Sequence, residues 1–79
     1  MALITSFEHN KGTSLGRHKT EVAARVFVFG DGPTGPIVQI NTYGSPNREF
    51  PEKVSQSIQL DRKAAEELWT LLGKEYGFR

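Results

Sequence analysis

The chain has no cysteine among its 79 residues. Disulfide staples and cysteine-ligated zinc ribbons are therefore excluded, and packing must hold the fold, aided at most by self-association. No apolar run approaches the ~20 residues needed to span a bilayer. Charge of either sign in excess is also missing. Ten Lys and Arg oppose nine Asp and Glu, for a formal net charge of +1, so bulk electrostatics select no partner. A whole-surface nucleic-acid binder is usually far more basic, and any polyanion site here must be local. The opening MALITSFEHN lacks the basic and apolar regions of a secretory signal. A soluble cytoplasmic protein, of bacterial or phage type, is expected.

What is present suits one small domain spanning residues 1–79. Hydrophobic residues make up 37%, with five Phe, two Tyr and one Trp, enough for a modest core. The sequence is too apolar and too mixed in charge to remain disordered. ALITSFEH (2–9) reads as a first strand and EVAARVFVFG (21–30) as a second, the strongest strand signal in the chain. Residues 10–20 between them form a loop with two glycines and several basic groups. GDGPTGP (30–36) is a turn on its Gly and Pro content, IVQINTYG (37–44) a third strand, and SPNREFPEK (45–53) a second polar connection. VSQSIQL (54–60) alternates cleanly as a fourth strand.

The period then changes. Asp61 is a good N-cap for RKAAEELWTLLGKEY, and Gly77 a good left-handed terminator. Ala65, Leu68, Trp69, Leu72 and Tyr76 form one helical stripe, with Trp69 as its expected central core residue. Gly73, which costs about 1 kcal/mol against Ala inside a helix, marks either a close approach to the sheet or an earlier helix end. The expected fold is α+β: a four-stranded antiparallel β-sheet, a meander, with one C-terminal helix packed on one face (β-β-β-β-α). One helix is about 10–12 Å across and four strands about 20 Å, so one face is covered incompletely and the other not at all.

Strand alternation assigns the faces. Val26, Val28, Val38, Ile40, Ile58 and Leu60 belong to the helix side. Arg25, Phe27, Phe29, Gln39, Asn41, Tyr43, Ser57 and Gln59 then share the other side, which carries aromatic rings, amides and hydroxyls but no acidic residue. Single-stranded nucleic acid is bound on such surfaces, with aromatics under bases and cations along the backbone. The expected site comprises Phe27, Phe29 and Tyr43 as stacking rings, and Arg17, Lys19, Arg25 and Arg48 on phosphates. The partner is single-stranded DNA or RNA. Two plainer readings compete. The phenylalanines could face the core with the valines outward, or the aromatic face could be buried against its twin in a homodimer. A second functional reading is a protein-interaction module, a phage or defence-associated inhibitor or adaptor, using the same face or a strand edge.

Catalytic and metal motifs fail. GDGPTGP lacks the Lys-Ser/Thr and following helix of a P-loop. GTSLGR (12–17) could offer backbone N–H groups and Arg17 to a phosphate, but reads first as a solvated loop. His9 and His18 lack third and fourth ligands, and no base–nucleophile set stands out. No enzyme activity, metal or cofactor is expected.

In element order, four strands then a helix, the chain is similar to the half-unit of the Pur-alpha type and to the positive-cofactor type of single-strand-binding proteins. That resemblance implies a dimer binding single strands on a curved sheet. It lies in predicted topology alone, so no functional residue is carried over. RVFVFG is also similar to the aromatic central strand of an RNA-recognition motif, but the βαββαβ order of that fold leaves no place for its first helix between residues 9 and 21.

Overall fold

The computed structural model describes residues 1–12, 15–30, 32–33, 35–44 and 53–78. Four strands and one helix follow in the order β1 (Ala2–Ile4), β2 (Ala24–Phe29), β3 (Ile37–Tyr43), β4 (Val54–Leu60) and α1 (Arg62–Tyr76). The chain is an α+β protein with a four-stranded sheet and a C-terminal helix.

The sheet is mixed, not an antiparallel meander. Its order is β1-β4-β3-β2, with β2–β3 and β3–β4 antiparallel and β1 parallel to β4. An antiparallel β1–β2 pair would need a short turn, and residues 5–23 instead carry the chain from one edge of the sheet to the other. The predicted first strand is correspondingly cut from 2–9 to Ala2–Ile4, and the second from 21–30 to Ala24–Phe29. Thr5 and Phe7 favour extended backbone, but that alone does not pair them, and Phe7 bonds the helix instead of a strand. Its N–H donates to Glu67 Oε1 at 2.8 Å. The topology also departs from the all-antiparallel order of the single-strand-binding folds named above.

The register places two unlike faces back to back. Val28, Val38, Leu60 and Ile4 form one row across the sheet, and Val26, Ile40, Ile58 and Ala2 the next. This is the aliphatic face. The opposite face carries Phe27, Gln39, Gln59 and Leu3 in one row, and Arg25, Asn41 and Ser57 in another. The register shifts between Thr42 and Tyr43, where Tyr43 pairs with Val54 and Ser55 is left over on β4.

The helix starts directly after β4. Asp61 is its N-cap, with extended backbone and Oδ1 accepting from Ala64 N–H at 2.9 Å. Asp61 N–H also donates to Ile4 O at 3.3 Å, which ties the helix start to β1. Gly77 ends the helix at φ 76°, in the left-handed region that a side chain disfavours. Gly73 lies inside α1, and a Cβ there would stand 3.3 Å from Phe78 O. The close approach is thus to the returning C-terminal segment, not to the sheet.

Burial is concentrated where β4 meets α1. Leu60 and Ala64 are the buried apolar residues among those described, and burial falls away towards β2. Leu60 is buried, Ile4 and Val38 are half-buried, and Val28 at the other end of that row is 65% exposed. The helix turns Ala64, Leu68 and Leu71 inward and leaves Trp69 63% exposed. The expectation of Trp69 as the central core residue is therefore corrected. The apolar arc of α1 is broader than one stripe, and its Ala64 side, about 100° around from Ala65, makes the contact instead.

Candidate functional site

The aromatic face is assembled by three strands. β2 contributes Arg25, Phe27 and Phe29 at alternate positions, and its partner β3 contributes Ile37, Gln39, Asn41 and Tyr43. β4 adds Ser57 and Gln59. Phe27 and Phe29 are each 46% exposed, so neither is enclosed by the fold. Their placement opposite Val26 and Val28 follows from strict alternation along β2, and neither pair enters a closed core.

Side chains of this face bond one another. Gln59 Nε2 donates to Gln39 Oε1 at 2.8 Å, and Gln39 Nε2 donates to Asn41 Oδ1 at 3.0 Å. Ser57 Oγ donates to the same Asn41 Oδ1 at 2.6 Å. Asn41 is the buried polar residue of the described set, and accepting two hydrogen bonds offsets the cost of that burial. The ladder makes the middle of the face polar, between the phenylalanines and the β1 edge. Among the described residues of this face there is no carboxylate.

The Arg25 guanidinium lies over the Tyr43 ring, 4.7 Å from its centroid. Such a contact contributes roughly 0.5–1 kcal/mol at an exposed site and holds the guanidinium plane at the surface. One face of Tyr43 is therefore occupied, which leaves the two phenylalanines as the more open rings. A shallow groove of about 580 Å³ adjoins Tyr43, lined by His18, Thr20, Val22, Thr42, Gly44, Ser55 and Gln56. The loop after β1 thus passes the Tyr43 end of the sheet. Within it, His18 Nδ1 accepts from Thr20 N–H at 3.0 Å.

The expected site residues divide into three groups. Arg25, Phe27, Phe29 and Tyr43 come together on one face. Arg17 and Lys19 are exposed on the flanking loop, where Arg17 Nη2 stands 3.7 Å from Glu21 Oε2. Arg48 lies outside the described residues. Leu3 joins the face through its pairing with Gln59, and nothing in the sequence pattern signals this, because it depends on which strand β1 chooses as partner.

A larger concavity, about 710 Å³, lies elsewhere, between residues 7–10 and the helix, with Glu66, Glu67, Lys63 and Leu71 on its helical wall. It is open and of mixed charge. Among the described residues no cluster of three His, Cys, Asp or Glu could hold a metal, and no helix is long and apolar enough to cross a membrane. No family model, curated protein or solved structure matches the chain. What the site can do is therefore argued from its chemistry alone: it can stack planar groups on Phe27 and Phe29, and attract anions with Arg25 and the flanking loop.

Proposed function

We propose that this protein is a non-enzymatic module that binds single-stranded nucleic acid on the β2–β3–β4 face. The observation that carries the reading is the row of half-exposed Phe27 and Phe29 beside Arg25 on Tyr43, on a face without a carboxylate among its described residues. Two bases stack on the two phenylalanines, which stand one pleat repeat apart, about 7 Å. The Arg25 guanidinium, held over the Tyr43 ring, meets a backbone phosphate beside the stacked bases. Unused hydrogen-bonding capacity of the amide ladder meets base edges, and Arg17 and Lys19 contact phosphates from the flanking loop.

The test is fluorescence anisotropy with a short mixed-sequence labelled oligonucleotide at several salt concentrations. Three phosphate contacts, from Arg17, Lys19 and Arg25, give a slope of log K against log salt of about −2 for a single strand. Phe27→Ala or Phe29→Ala weakens binding roughly 5- to 150-fold, the effect of one lost base–aromatic stack, while the circular dichroism spectrum stays unchanged. Absence of binding at low salt refutes the reading. A second reading, strand addition by a protein partner, draws on the outer edge of β2, which has no strand beside it among the described residues. Salt-insensitive binding of an extended peptide, with no nucleic-acid binding, would support that alternative.

A further inference from the structure

The aliphatic face and the helix each leave an apolar half largely exposed. On the sheet, Val26 and Val28 of β2 are 60% and 65% exposed, although Val28 lies in the same row as buried Leu60 and Val26 in the row beside it. On α1, the Ala64, Leu68 and Leu71 side is turned inward, while Trp69, Leu72 and Tyr76 are exposed. A chain of this length folded into a compact body has a radius of gyration of about 12 Å, whereas this one measures 14.8 Å. The start of the helix is held in place. A single residue, Asp61, joins it to β4, and that residue is held by the cap to Ala64 and the backbone bond to Ile4.

We propose that a second copy of this chain covers this surface. The Trp69–Leu72–Tyr76 stripe of each helix lies on Val26 and Val28 of its partner's β2, and the exchange is reciprocal about a two-fold axis. The chain itself supplies both complements, an apolar stripe and an apolar strand face, as a two-fold interface requires. The areas also suit. With about 150–250 Å² for each large aromatic side chain, the exposed parts of Trp69, Tyr76, Leu72 and the two valines come to roughly 500 Å² per copy. Two copies then bury roughly 1,000 Å² from these side chains alone, at the threshold of a specific interface before the flanking residues are counted. The aromatic face is on the other side of the sheet and stays open, so this dimer neither requires nor prevents nucleic-acid binding. It differs from burial of the aromatic face against its twin, which would close that site.

Two measurements test the proposal. The unmodified chain carries a single tryptophan, so sedimentation equilibrium and Trp69 emission can be followed together on dilution. A dimer with blue-shifted emission that turns red as the mass falls to the monomer is expected. A monomer at every concentration, or a dimer whose Trp69 emission is that of a solvated indole, overturns the proposal. Because the chain has no cysteine, the contact itself can be trapped. Val28→Cys and Leu72→Cys chains, mixed under oxidising conditions, are expected to give a disulfide-linked dimer at least several-fold more abundant than either variant gives alone. The double variant V28C/L72C is expected to run as a linked dimer on a non-reducing gel. If it runs as an internally closed monomer, the helix covers its own sheet and the proposal is wrong.

Discussion

Replacing Asn41 with Ala removes the acceptor at the centre of the amide ladder. Two hydrogen bonds end on its Oδ1, from Gln39 Nε2 and Ser57 Oγ, and the residue is buried. Each bond contributes about 1 kcal/mol net, and stranding two half-buried donors adds a few tenths where water does not reach them. The sum is roughly 2 kcal/mol, a fall in Tm of roughly 8–16 °C for a chain of this size. Ser57→Ala loses one of the two bonds and strands nothing, because Gln39 still donates to Asn41; about 1 kcal/mol, or roughly 4–8 °C, is expected. The double variant should then be no worse than Asn41→Ala by more than a few tenths of a kcal/mol, since the Ser57 bond is already gone. The assay is thermal denaturation followed by circular dichroism, with all variants at one protein concentration, so that the proposed self-association does not enter the comparison. Additive losses, or a Ser57→Ala effect equal to that of Asn41→Ala, would refute the argument that both donors converge on one buried acceptor.

Three further outcomes are expected. Asp61→Ala removes the N-cap bond to Ala64 and should lower stability by about 1 kcal/mol, read as a drop in Tm and in helical ellipticity, with Asp61→Ser retaining most of it. Gly77→Ala places a side chain at φ 76° and should cost roughly 1 kcal/mol, whereas an Asn there should cost less; equal Tm values for the Ala and Asn variants would contradict the left-handed termination. Arg17→Ala should leave Tm unchanged, because its ion pair with Glu21 is almost fully exposed, yet should reduce the salt slope of oligonucleotide binding by about 0.7.

Much of this fold was legible from local pattern. Alternation in VSQSIQL gave β4 its bounds and its two faces, and Asp61 and Gly77 bracketed the helix because capping chemistry is local. The separation of Phe27 and Phe29 from Val26 and Val28 needed only the two-residue pleat. What failed depended on contacts far apart in sequence. The partner of β1 is decided by where residues 5–23 cross the sheet, and a strand of three residues carries no periodicity from which to read it. The rotation of α1 is not legible in the pattern because apolar residues occupy more than one helical stripe, and the small side chain of Ala64 is the one that is fully buried. The Arg25–Tyr43 contact needs the register of two strands as well as the face assignment.

The parallel pairing of β1 with β4 also sets an order of assembly. Ala2 faces Ile58 and Ile4 faces Leu60, so nearly the whole chain must be in place before the first residues find their partner. The β2–β3 and β3–β4 pairs close over much shorter spans and with far smaller loop-closure entropy. The N-terminal strand is therefore a latch that closes last during synthesis and opens first under hydrogen exchange. While it is open, both outer edges of the remaining sheet are unpaired, β2 on one side and β4 on the other.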